Sequence, residues 1–288
     1  MGGGALSDPL VKVWNIYNMR PCSPSHLRRH RVVAHRGAHR GAYDENRIAG
    51  FRAALRAGIG FECDVRWSKD GVPVIVHDAT LLRTHRTPRR VDAVALDDLR
   101  ALGVPTLEDV LVLLRDEGAG AGAGAGAAMV MLDLKRRPQD TIRWTRRTCE
   151  RLGVDVGRLG FLVWSDDATP PQGGGLVFRA RGSRFDADAH RKWDGVACKY
   201  TGSAVNLRCI WRTLAHGMRL NVYPETLALQ QRLLEERFVH HEGCALTLHV
   251  DGSRGSRRSR RRRRRRRKGP VASHGTQINK SKSGAFSE

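Results

Sequence analysis

Apolar and polar positions along this chain alternate with a period of two in several short stretches, separated by segments with helical spacing. Residues 31–34 form a β-branched apolar run that stops at His35-Arg36-Gly37, which reads as a strand ending at a histidine and a glycine turn. In 48–57 the spacing is helical, with Ile48, Phe51, Ala54 and Leu55 on one face, and Asp44 or Asn46 stands where it can cap that helix. Residues 61–65 alternate again, Glu62 and Asp64 on one face, Cys63 and Val65 on the other. Lys69-Asp70-Gly71 reads as a turn, and 72–76 as a second apolar strand delivering His77-Asp78. Strand, helix and strand make a β-α-β unit with His35 at the end of its first strand and the acid pair on its second.

The same patterns continue through the chain. Strands are expected at 129–134, 159–164, 175–179, 195–199, 218–223 and 245–250, and helices at 140–152, 206–216 and 226–238. With the strands at 31 and 61 this makes eight, and 72–76 is a hairpin arm outside that count. No helical pattern stands out between the fourth and fifth strands, where 166–174 is rich in Pro and Gly. The Gly-Ala alternation of 118–128 reads as a flexible linker.

Composition adds one domain with tails. A chain of 288 residues with 40% hydrophobic content has material for a sizeable core. We expect a leader at 1–30, a domain at 31–250 and a tail at 251–288. The net charge is +22, and 251–288 alone holds 14 Lys and Arg against 2 acids. Its run 257–268 is nearly unbroken Arg, which self-repulsion keeps disordered when free. Such a run serves as a nuclear localisation signal, a non-specific nucleic-acid arm or an anionic-membrane tether; without aromatics, any nucleic-acid binding should be salt-sensitive. Six scattered cysteines with no C-x-x-C spacing argue against a zinc site or a disulfide framework. No apolar run approaches the roughly 18 residues of a membrane span, and 1–10 lacks the apolar region of a signal peptide. The expectation is a soluble intracellular protein, cytoplasmic or nuclear.

The chemistry begins with the acids. Two carboxylates on one strand face are either solvated or held by a cation, and a divalent, oxygen-ligated metal is the sharper reading. In 129–135 the alternation puts Met131, Asp133 and Lys135 on one face, adding a third acid and a cation. His35 and His77 titrate near neutral pH and suit proton transfer. His39, in the near-repeat H-R-G-A-H-R-G, competes with His35 on motif alone, but His35 directly follows the apolar run.

Together, H-R-G at 35–37, E-N at 45–46, Phe51 and Ala54, E-x-D-V at 62–65, K-D-G at 69–71, V-H-D-x-x-L-x-R-T at 76–84 and P-T-L-E-D-V-L at 105–111 resemble the glycerophosphodiester phosphodiesterase family. The resemblance implies an α/β fold, a compact TIM-like (β/α)8 barrel over 31–250. It implies a metal-dependent phosphoric diester hydrolase, with one divalent cation, Mg²⁺ or Ca²⁺, on Glu62, Asp64 and Asp133, and Glu45 as a further candidate ligand. His35 and His77 would be the general acid and base, and Arg36 and Lys135 would bind the substrate phosphate. The substrate would be a glycerophosphodiester or, in a lysophospholipase D-like variant, a lysophospholipid. Asp133 departs from the family's usual Glu, Asp44 from its Pro, Arg47 from its Thr and Tyr223 from its Trp. These departures, with the arginine tail, leave a second reading: a catalytically decayed barrel that binds nucleic acid or enters the nucleus.

Overall fold

The computed structural model describes residues 32–251 apart from 42, 119–127, 165–173, 183, 235 and 237–243. The chain divides into a unit Met1–Gly252 and a second unit Ser253–Glu288. That second unit, with its arginine run, lies outside the described residues, as do the leader 1–30 and nearly all of the Gly-Ala tract.

The strands in chain order are β1 (Val32–His39), β2 (Gly60–Trp67), β3 (Pro73–Ile75), β4 (Val130–Leu134), β5 (Leu159–Val163), β6 (Leu176–Arg181), β7 (Gly195–Tyr200), β8 (Arg219–Pro224) and β9 (Cys244–Asp251). All but β3 are parallel and close into an eight-stranded barrel, β9 pairing back onto β1 and β1 onto β2. β3 is the expected hairpin arm: it lies antiparallel on the far end of β2, with Val65 opposite Ile75. The helices are α1 (Ile48–Arg56), α2 (Leu82–His85), α3 (Leu96–Ala101), α4 (Leu107–Gly118), α5 (Pro138–Leu152), α6 (Ala204–Ala215) and α7 (Leu227–Leu234). None of the helices among the described residues is long and apolar enough to cross a membrane.

Alternation along each strand divides the apolar residues between two cores. Phe61, Cys63 and Val65 join the outer core against the helices, where Phe51 of α1 stacks on Phe61 at 4.3 Å between centroids. Their neighbours Glu62 and Asp64 therefore face the barrel interior. That interior is otherwise packed by Val33, Met131, Leu162, Phe178, Ala180 and Ala197. Each fully buried side chain of the larger kind among these stabilises by about 1.5–3 kcal/mol. A third cluster, including Val74, Val76, Leu81, Leu99 and Val104, gives the segment between β3 and α4 a small core of its own.

Two local expectations are corrected. β1 does not stop at His35. Arg36 and Gly37 adopt left-handed φ of 54° and 80°, the register shifts, and Ala38 and His39 pair again with Val250 and Asp251. Gly37 is required there, because a Cβ would meet the Phe51 ring at 2.8 Å. Nor does Asp44 or Asn46 cap α1: the cap position is Arg47, with no side-chain cap bond. Asn46, at φ 55°, turns its amide to a buried acid instead. The Pro- and Gly-rich stretch between β5 and β6 lies largely outside the described residues.

Candidate active site

β2 and β4 are neighbours in register, and Asp64 is directly opposite Asp133. Glu62, two residues earlier on β2, completes a buried group in which one oxygen from each acid lies within 4.8 Å of the others. Three carboxylates this close raise one another's proton affinity, and two cations are set among them. Lys135 Nζ lies 2.8 Å from Asp64 Oδ1 and 2.6 Å from Asp133 Oδ2. Arg36 donates its backbone N–H to Glu62 Oε2 at 3.0 Å. Its Nε approaches Asp64 Oδ2 at 3.3 Å as an ion pair, without hydrogen-bond alignment.

These contacts divide the acids. Burial, then the charges of Asp64 and Asp133, pushes the Glu62 carboxyl well above the usual carboxylate range. Burial also raises Asp133, more than Lys135 lowers it. For Asp64 burial acts upward too, but Lys135 and Arg36 outweigh it and hold the carboxyl well below that range. Lys135 is correspondingly held charged: burial opposes the charge, and Asp64 and Asp133 overcome it.

Around this centre lies a set of orienting groups. Asn46 Nδ2 donates to Asp64 Oδ2 at 2.8 Å, and Asp64 N–H donates back to Asn46 Oδ1 at 3.3 Å. Trp164, at the end of β5, donates its indole N–H to Asp133 Oδ1 at 2.7 Å. Asp133 thus has one oxygen on Trp164 and the other on Lys135. Glu45 stands outside the three-acid group, its oxygens taken by Arg36 and by Arg83, the latter at 2.6 Å and 3.0 Å. Arg83 also binds Asp78 Oδ2 at 2.6 Å.

The histidines flank this arrangement. Val76 N–H bonds Asp64 O at 2.9 Å, which brings the next residue, His77, to the acid end of β2. His77 Nδ1 is 2.6 Å from Asp78 Oδ1. Asp78 is held ionised by Arg83 and His77 against the effect of burial, so the carboxylate accepts and Nδ1–H donates, which leaves Nε2 outside that bond. His35 is half-buried on β1, adjacent to the Arg36 N–H that binds Glu62. His39 ends β1, and burial lowers its pKa.

Asn46, Arg83 and Trp164 hold or surround the candidate residues. Asn46 and Arg83 lie inside the E-N and L-x-R-T motifs, but their roles were not legible there. Trp164 carried no signal beyond ending an apolar strand. Tyr223 donates its hydroxyl to Arg181 O at 3.3 Å, and burial raises its pKa.

An eight-stranded parallel barrel with its polar groups at the carboxyl ends of adjacent strands is the architecture of a large class of barrel enzymes. Within that class the front of this chain shows a likeness: residues 35–128 match the model of the Glycerophosphoryl diester phosphodiesterase family. A glycerophosphodiester phosphodiesterase of Caldanaerobacter subterraneus is 34% identical over 100 residues, 30% of this chain and 41% of that one. The chain spans between 26% and 41% of the length of the first curated relatives it matches. The glycerophosphodiester phosphodiesterase of Thermotoga maritima superposes with a TM-score of 0.57 at 18% identity, covering 75% of this chain and 93% of that one. An Oleispira antarctica phosphodiesterase in complex with its product sn-glycerol-3-phosphate superposes with a TM-score of 0.57 at 19% identity, over 77% and 94%. At these identities the structural likeness shows the barrel fold.

Proposed function

We propose that this protein is a metal-dependent phosphodiesterase that hydrolyses glycerophosphodiesters to an alcohol and glycerol phosphate. The observation that carries the reading is the buried group Glu62, Asp64 and Asp133. The donors are all carboxylate oxygens, which suits a hard divalent cation, Mg²⁺ or Ca²⁺. The charges suit it as well. Three carboxylates outnumber the two cations set among them, Lys135 and Arg36, and Arg36 is shared with Glu45. A divalent ion would offset that excess of negative charge and attract a phosphodiester anion. Bound there, such an ion supplies Lewis-acid stabilisation of charge on the non-bridging phosphate oxygens.

The chain's own groups do the rest. Lys135 and Arg36 hold Asp64 ionised and add positive charge beside the phosphate. One of His35 and His77 takes the proton from the attacking hydroxyl as its oxygen bonds to phosphorus. The other gives a proton to the alkoxide as the second P–O bond breaks. For His77 the exchanging atom is Nε2, since Nδ1 is committed to Asp78. Asn46 and Trp164 orient Asp64 and Asp133, and Glu45 serves as the link between Arg36 and Arg83 rather than as a ligand.

The test is release of product from glycerophosphodiesters and from lysophosphatidylcholine, with Mg²⁺, Ca²⁺ or EDTA, beside His77→Ala. Hydrolysis is expected to require metal and to fall at least about a hundredfold in the variant, the usual loss for a general acid or base. Hydrolysis unaffected by either change defeats the proposal. A preference for the lysophospholipid assigns the lysophospholipase D-like reaction instead.

A further inference from the structure

Lys135 and Trp164, which hold the two oxygens of Asp133, also line a cavity of about 470 Å³ together with Leu134, Arg136, Arg137 and Pro138. The cavity therefore adjoins the three-acid group directly. Among the described residues its lining contains no acid, and the three cations in it differ in how far they are already neutralised. Lys135 is committed to Asp64 and Asp133. Arg136 lies 3.1 Å from Asp92, but Arg90 holds the same carboxylate at 2.6 Å, so one negative charge serves two guanidiniums. Arg137 has no ion pair among the described residues. Its guanidinium lies 5.7 Å from the Trp67 ring centroid, and its backbone is left-handed at φ 48°. The amino end of α5 opens on the same cavity through Arg137 and Pro138, adding the positive end of its dipole.

We propose that this cavity receives the head group of the diester, and that the preferred head group carries negative charge of its own, as phosphate or carboxylate. This rests on the phosphodiesterase reading. Glycerol is neutral, so the charge that Arg136 and Arg137 match belongs to the other alcohol. A quaternary ammonium meets the same two guanidiniums as repulsion. The Trp164 face, 43% exposed, offers it only the weak cation–π attraction of a solvated ring.

The experiment compares kcat/KM of the full-length protein on glycerophosphoinositol 4-phosphate and on glycerophosphocholine, for wild type, Arg136→Gln and Arg137→Gln. Calorimetric binding of inositol 1,4-bisphosphate in EDTA runs in parallel. The anionic diester is expected to be preferred by about a hundredfold, roughly tenfold for each guanidinium in a partly solvated site. Each substitution should lower the ratio of the two rates, and weaken inositol bisphosphate binding, by about tenfold. Turnover of the choline diester at or above that of the anionic one, unchanged by both substitutions, overturns the head-group proposal while leaving the phosphodiesterase reading intact. Turnover of neither diester, with bisphosphate binding that Arg137→Gln still weakens, supports the anionic cavity and removes the phosphodiesterase reading. Neither turnover nor binding removes both.

Discussion

The two sides of the barrel wall are built for different purposes. β1, β2 and β4 are consecutive round the barrel, and together with the turns at their ends they supply His35, Arg36, Glu62, Asp64, Asp133 and Lys135. β5 to β7 turn Leu162, Phe178, Ala180 and Ala197 inward, and β8 and β9 contribute Asn221 and Thr247, bonded to each other at 3.0 Å. One side concentrates charge that has to be neutralised from within, and the other fills space. The family match, 35–128, takes in His35, Arg36, Glu62 and Asp64 and ends before Asp133 and Lys135, while the barrel continues to β9. Chemistry restricts a position to one or two residue types, whereas packing accepts any side chain of fitting volume.

Three substitutions test that contrast, taken from the largest expected effect to the smallest. Asp64→Asn should abolish metal-dependent hydrolysis. It should also lower stability by about 3 kcal/mol, the low end for breaking a buried pair, because Asp133 and Glu45 still partner Lys135 and Arg36; urea denaturation measures this. Phe178→Ala should cost a comparable 3 kcal/mol or so through the cavity it leaves, yet turnover per folded molecule should stay within about twofold. If Phe178→Ala impaired turnover as severely as Asp64→Asn, the two sides would not be separable. Asn46→Ala should cost about 2 kcal/mol, since Ala is strained at φ 55° and two hydrogen bonds to Asp64 are lost, and should weaken metal affinity by roughly 10- to 100-fold, as loss of a partner behind a ligand does; titration calorimetry with Mg²⁺ and Ca²⁺ reads it.

The same contrast explains what could be read in advance. The strand period of two was enough to put Glu62 and Asp64 on one face and Asp133 with Lys135 on another, because burial makes that period strict. All eight barrel strands could be found by their apolar runs, but their ends shifted by a residue or more, since the ends follow ladder hydrogen bonds rather than hydropathy. The extension of β1 to His39 depended on positive φ at Arg36, a non-glycine residue whose type gives no hint of it. Asn46 looked like a helix cap because capping is local. Its actual partner, Asp64, is 18 residues away, and Trp164 reaches Asp133 across 31. Contacts at such separations come from the pairing of neighbouring strands, β1 with β2 and β4 with β5, and no local pattern encodes them.

The pairing of β9 with β1 also sets an order of events during synthesis. The staves that bear the acids and His35 are neighbours and are complete once residue 135 has been made. The outer edge of β1 has no strand to pair with until residues 244–251 have been added. The chemical centre can therefore assemble on an open sheet, and for the time needed to translate over a hundred further residues that sheet carries an unprotected edge, where another nascent chain can dock in place of β9.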